Sequence, residues 1–414
     1  MTARPKHEPD PVVHLAERLL DDVARFTPAL GCRTCPDFDT CGGLHIEAGF
    51  FDCSSFCNCQ DSTLCDMVCR RKPQHFFDRF QEVSGFDLSS VPRVTGLPLR
   101  ALPDVIPLVG HKYSRTETLA EDVVAVPLYE LFHMRSGIPH VRTRAELAAR
   151  FLIPEDATVI ATGVDRDAKL EAWWEFADRD LLVGTLRDLG VVLVTCPNFS
   201  LFTNTPRPDN LHSIKRIALS WGELMAGGVN AALHLNARTD HDYARWTRFI
   251  CERPEASVVA FEFGTGAGHQ RRIDWHVERL CRLADSVDRP LILVVRGGAL
   301  ALVRLRAHFA QVILIETDSF SRTLKRRRAE ITASGRLRWL RVQTAHGEPL
   351  NGLLAHNVAT RRKYLLEASP KRQPGLVRST PKRATQHTDG EPRQGSLVPE
   401  FEVTLQGRAI TANL

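Results

Sequence analysis

The chain has 414 residues, 43% of them hydrophobic and 25% charged, enough apolar side chains for one large core with room for a smaller unit beside it. Its 54 basic side chains stand against 49 acidic ones, a net charge of only +5, which excludes a polyanion binder driven by overall charge and leaves basic patches to be argued locally. No apolar run reaches the roughly 18 residues of a membrane span, and the charged opening "MTARPKHEPDPVVHLAERLLDDV" is unlike a signal peptide, so the expectation is a cytoplasmic protein with no membrane attachment.

In chain order, residues 1–30 predict one amphipathic helix over "PVVHLAERLLDDVARF", with Val13, Leu15, Leu19, Leu20 and Val23 near helical spacing. Residues 31–72 hold eight of the eleven cysteines, Cys32, Cys35, Cys41, Cys53, Cys57, Cys59, Cys65 and Cys69, in the pattern C-x2-C-x5-C-x11-C-x3-C-x-C-x5-C-x3-C. In a reducing compartment such a set reads as metal ligation rather than as a disulfide framework. Eight thiolates suit one or two Zn²⁺ sites or an iron–sulfur cluster, and His45 is able to replace one of them. The segment has too few aliphatic side chains to build a core without a metal, and a four-thiolate zinc leaves no open position for substrate, so its expected role is structural. Residues 73–103 form a connector, "HFFDRFQEV" helical and "VPRVTGLPLRALP" extended.

From residue 104 to 368 short apolar runs alternate with helical segments. The runs are "DVIPLVG", "DVVAVPL", "ATVIATG", "VVLVTC", "NAALHLN", "SVVAFEF", "PLILVVRGG", "QVILIET" and "LRWLRVQT". Continuous apolar strands alternating with helices predict a parallel sheet covered on both faces. Counting seven strands after residue 156 and one from 104–128 gives eight, the number of a (β/α)8 TIM-like barrel; a doubly wound open sheet is the rival. Residues 369–414, with "SPKRQPGLVRSTPKRATQHTDGEPRQGSLVPE", read as a disordered basic tail that ends in a short strand or a peptide for a protein partner.

In such a barrel the chemistry stands at the carboxyl ends of the strands. Those ends offer Asp165, His234, Glu262 and Asp318 as catalytic candidates, and Asn198, Ser200, Asn236, Arg238 and Arg296 as substrate ligands. His234 and Glu262 fall inside apolar runs, where a solvated loop residue is not expected. Gly264 and Gly266 in "FGTGAGHQ", and Gly297 in "RGGALA", lead into helices and offer backbone N–H groups to a phosphate. The run "SRTLKRRRAEITASGRLRWLR" places Arg322, Lys325, Arg326, Arg327 and Arg328 on what would be a basic helix face for a nucleic-acid backbone.

Pro197, Asn198, Phe199, Ser200, Leu201 and Phe202, with Pro206 downstream, resemble the P-[DN]-F-S-[LM]-[YF] box of a family of uncharacterised phage and mobile-element proteins. Asn198 stands where that family often has Asp, and the family supplies no activity to carry over. The start "CRTCPDFDTCGG" resembles the auxiliary-cluster domains that follow some radical-SAM barrels. A barrel with a basic surface and a metal module is similar in architecture to the tRNA-guanine transglycosylases, which implies an enzyme acting on a nucleic-acid base or nucleotide. Two other classes stay open: a non-catalytic binder of nucleic acid or protein through the metal module, and an iron–sulfur redox protein.

Overall fold

The computed structural model describes residues 73–111, 114–201, 207–264, 270–345 and 347–368, together with a two-residue antiparallel pairing of Thr27–Pro28 with His45–Ile46. The expected N-terminal helix, all eight clustered cysteines and the basic tail lie outside these residues. Among the described residues no helix is long and apolar enough to cross a membrane.

Eight parallel strands follow one another round a nearly closed barrel, a fold that fits the TIM-like class: β1 (Val105–Pro107), β2 (Val123–Pro127), β3 (Thr158–Thr162), β4 (Val191–Thr195), β5 (Ala231–His234), β6 (Val258–Glu262), β7 (Ile292–Arg296) and β8 (Gln311–Glu316). From β2 to β8 each strand pairs with the next in sequence, and β8 pairs with β1. The seam between β1 and β2 is closed by the parallel bridge Leu108–Ala125, with the Val109 N–H donating to Ala125 O at 2.8 Å. Strands buried on both faces need apolar side chains at every position, which is why "VVAFE" and "QVILIE" read as unbroken runs.

The pleat divides those side chains into two sets. Ile106, Ala125, Ile160, Leu193, Ala232, Ala260, Val294 and Ile313 fill the barrel interior. The alternate positions, such as Val124, Val159, Leu233, Val259, Leu293 and Leu314, face the surrounding helices. Two residues beyond the interior set, hence again inward, come Leu108, Pro127, Thr162, Thr195, His234, Glu262, Arg296 and Ile315. Five polar side chains thus form the roof of an apolar interior.

The helical layer comprises α1 (Pro73–Glu82), α2 (Arg144–Phe151), α3 (Asp167–Glu175), α4 (Arg179–Asp188), α5 (Arg207–Ala226), α6 (Asp240–Glu252), α7 (Gln270–Ser286), α8 (Leu302–Arg306), α9 (Asp318–Leu324) and α10 (Asn351–Ala368). The β1–β2 crossover carries no helix among its described residues. The C-terminal α10 packs on β1 instead, presenting Leu354, Val358 and Leu365 from one face, with Leu350 buried just before it. It is tied to the crossover by the Asn351 side chain, which accepts from the Thr116 N–H at 3.0 Å, and by the Arg362–Glu121 ion pair. The connector 83–98 is strapped across the barrel's outside. Arg245 donates to Phe86 O, Arg253 donates to Pro92 O, and the buried Lys215 ammonium donates to Asp87 O and Ser90 Oγ.

Two expectations are corrected. The barrel count of eight holds, but with different members: both runs between 104 and 128 are barrel strands, while "LRWLRVQT" is not. It forms β10 (Leu337–Arg341), paired antiparallel with β9 (Arg327–Ile331) in a hairpin. Its alternation of apolar and charged side chains suits a strand with one wet face, not a doubly buried one. For the same reason the basic run is not one helix. α9 ends at Leu324, Arg326 takes a left-handed backbone with φ of 50°, and the chain continues as β9.

Candidate functional site at the barrel mouth

The inward roof is where the chemistry collects. Glu262, from the last position of β6, is 6% exposed and His234, from the last position of β5, 2%. Both line a polar inner pocket of about 40 Å³ together with Asn198, Ser200, Asn236 and Arg238. Beside it opens a cavity of about 570 Å³, lined by Thr162, Asp165, Asp167, Glu130 and Arg296, with Asn198 and Ser200 bordering both spaces. The larger volume is that of a small-molecule site. Glu262 and Arg296 meet between the two spaces, with Arg296 Nε 3.6 Å from Glu262 Oε2.

The Glu262 carboxyl is pushed up to about 7. Burial is the largest cause; the Arg296 guanidinium and the Gly264 N–H, which donates to Oε1 at 2.5 Å, pull the other way and only partly offset it. Oε2 is buried without a hydrogen-bond partner among the described residues. A carboxyl so placed is half-ionised near neutral pH and keeps one oxygen for another molecule. The tight contact at Oε1 requires glycine: a Cβ on Gly264 would stand 2.6 Å from that oxygen, and one on Gly297 would stand 2.8 Å from the Gly264 nitrogen. These two glycines let the backbone close on the Glu262 carboxyl. Gly266 lies outside the described residues.

His234 is held neutral. Burial, aided by the Arg296 charge, lowers its imidazole to about 3, so it offers a hydrogen bond and not a cationic acid at neutral pH; Nε2 is buried without a hydrogen-bond partner among the described residues. The His234 N–H donates to Cys196 Sγ at 3.3 Å, and burial pushes that thiol up to about 12, which removes it as a nucleophile near pH 7. Arg296 anchors its fork by donating from Nη1 to Val164 O at 3.0 Å.

The β4 and β5 ends supply the remaining polar wall. The Asn198 N–H donates to Gly163 O at 3.1 Å, while Asn198 Oδ1 is buried without a partner among the described residues. Ser200 donates to Asp167 Oδ1 at 2.5 Å, and Asn236 Nδ2 donates to Phe199 O at 2.9 Å. Arg238 precedes the Thr239–Asp242 capping box of α6, and its N–H donates to Asp242 Oδ2 at 2.8 Å. Burial and the neighbouring Arg272 lower its guanidinium to about 10.

The structure therefore brings His234, Glu262, Arg296, Asn198, Ser200, Asn236 and Arg238 to one mouth. Asp165 lines the outer cavity, yet its carboxylate is taken by Lys169 Nζ at 2.7 Å and by the Arg166 N–H, so it is poorly placed to act as a nucleophile. Asp318 does not line either space; it opens α9 and pairs with Arg361 at 3.2 Å. Sequence reasoning overlooked Thr162, Thr195, Glu130 and Asp167. The first two were recoverable from the pleat, standing two residues beyond Ile160 and Leu193. Glu130 accepts from the His111 ring at 2.9 Å, a pairing with no local sequence signal.

Among the described residues no group of three or more His, Cys, Asp or Glu is placed to hold a metal ion. No protein-family model matches the chain, and no curated protein matches it.

Proposed function

We propose that the barrel mouth is the active site of an acid–base enzyme whose substrate is a nucleotide or a nucleic-acid base. The observation that carries this reading is Glu262: a buried carboxyl near neutrality, with a spare oxygen, facing an Arg and a neutral His beside a cavity of about 570 Å³. Glu262 takes a proton from the substrate or from a water, for which the inner pocket has room. Arg296 holds the anionic part of the substrate, its charge concentrated by the low-dielectric wall. The neutral His234 and the Asn198 carbonyl supply hydrogen bonds suited to the edge of a base. The eight clustered cysteines, which no described geometry tests, we assign on spacing alone to a structural zinc or iron–sulfur module, and the box at 197–202 to a likeness with the phage and mobile-element proteins.

Titration calorimetry with a panel of nucleoside monophosphates, nucleosides and free bases tests the reading. A nucleotide should bind the wild-type chain, and Arg296→Gln should weaken the phosphorylated ligands at least tenfold while leaving free bases nearly unaffected. Absence of heat for the whole panel would defeat it.

A further inference from the structure

The β9–β10 hairpin has no part in the mouth, and its charge is unlike that of the rest of the chain. Residues 322–341 contain eight basic side chains and one acidic one, Glu330, while outside that stretch the chain has two more acidic residues than basic. Among the described residues none of the eight makes an ion pair with a carboxylate. Concentrated like charge raises the free energy of the folded chain unless a polyanion relieves it.

The hairpin is firmly mounted. Ala329 is fully buried, its N–H donates to Asn357 Oδ1 of α10 at 2.8 Å, and Asn357 Nδ2 donates back to Arg327 O at 2.8 Å. Strand alternation then fixes the outer face: Arg328 stands opposite Leu340 and Glu330 opposite Arg338, all four exposed, with Arg336 exposed in the turn. Lys325, exposed at the base of the ribbon just before β9, adds a further basic side chain.

We infer that this ribbon is a docking surface for double-stranded DNA. Two strands about 5 Å apart, with their side chains, match the roughly 12 Å major groove of B-form DNA, and five residues of strand span about 17 Å along it. The deep, narrow major groove of A-form RNA does not admit such a ribbon. Exposed arginines reach phosphates on either side, and Leu340, 44% exposed, faces the groove floor. The inference deepens the reading of the mouth and rests on it for the choice of a nucleic acid over another polyanion.

Fluorescence anisotropy of the full chain with a labelled DNA duplex, from about 50 to about 200 mM salt, tests it. The wild-type chain should bind, with log K falling linearly against log salt. Arg328→Gln, Arg336→Gln and Arg338→Gln together should reduce the steepness of that fall by up to about 2.7, from about 0.9 per phosphate contact, for every duplex sequence. If that triple variant unfolds at a lower temperature than the wild type, Lys325→Gln with Arg338→Gln replaces it, with an expected reduction of up to about 1.8. Duplex RNA of the same sequence should bind at least tenfold more weakly. Unchanged salt dependence in a folded variant, equal affinity for duplex RNA or single-stranded DNA, or no affinity of the wild type for duplex DNA would overturn the inference. Glu262→Gln should leave duplex binding intact. A mouth that binds no nucleotide while the ribbon keeps its salt dependence would refute the mouth reading alone, and the reverse outcome would refute the ribbon alone.

Discussion

Glu262 couples the site to the stability of the fold. Its folded-state value of about 7 lies above the ordinary 4.5, so the folded chain holds a proton that the unfolded chain has already released between those two values. The stability that Glu262 contributes is therefore fully present below about 4.5 and falls as pH rises to about 7, by roughly 3 kcal/mol for a shift of this size. His234 acts in the opposite sense over its own range: its value of about 3 lies below the ordinary 6.5, so stability is lost as pH falls below 6.5. Glu262→Gln removes the first effect and leaves the second. In urea denaturation at pH 5 and pH 8 the Gln variant should gain about 2.5 kcal/mol relative to wild type between the two pH values. A difference independent of pH would mean that the carboxyl titrates normally.

At the scale of elements, the barrel strands were legible because a doubly buried parallel strand must be apolar along its buried length, as "VVAF" and "ILVV" are. The same runs exposed their exceptions, His234 and Glu262, which the pleat turns inward. Less legible was anything decided by a contact distant in sequence. Nothing near Asp165 announces that Lys169 will capture it in preference to a substrate, and Asp318 is drawn to Arg361 forty-three residues on. The turn at Arg326 has no glycine to mark it, so the run from Arg322 to Arg328 reads as one helix, while Gly335, with φ of 73° in the turn between the two strands, is the local signal of the hairpin. What fixes the hairpin is Asn357, fully buried in α10, which also donates to Thr323 Oγ1 at 2.8 Å. Asn357→Ala would leave the Ala329 N–H and the Arg327 carbonyl without partners, at a cost of roughly 2–4 kcal/mol. Amide hydrogen exchange should accelerate in 327–331 and 337–341 and stay unchanged in β3–β7. Unaltered protection of Ala329 would show that the hairpin is held by something else.

For the whole molecule, three stretches differ in chemistry: a mouth lined by His234, Glu262 and Arg296, a ribbon carrying exposed arginines, and residues 31–72 with eight cysteines, for which a metal is proposed. On the proposed metal assignment, ligation and folding of residues 31–72 are one process, so Cys35→Ser or Cys57→Ser should lose metal, measured by elemental analysis, without lowering the unfolding temperature of the barrel. Full metal content in both variants would exclude these thiols as ligands.

The claim on which the functional reading stands is that Glu262 is poised near neutrality and in contact with substrate. It is measured most directly by following the side-chain carboxyl carbons of ¹³C-labelled glutamate by NMR through a pH titration, with and without saturating nucleotide. One resonance should titrate near 7, vanish in Glu262→Gln, and shift its midpoint when nucleotide is bound. If every glutamate titrates near the ordinary 4.5, or the Glu262 midpoint is indifferent to nucleotide, the mouth is not the acid–base site described here.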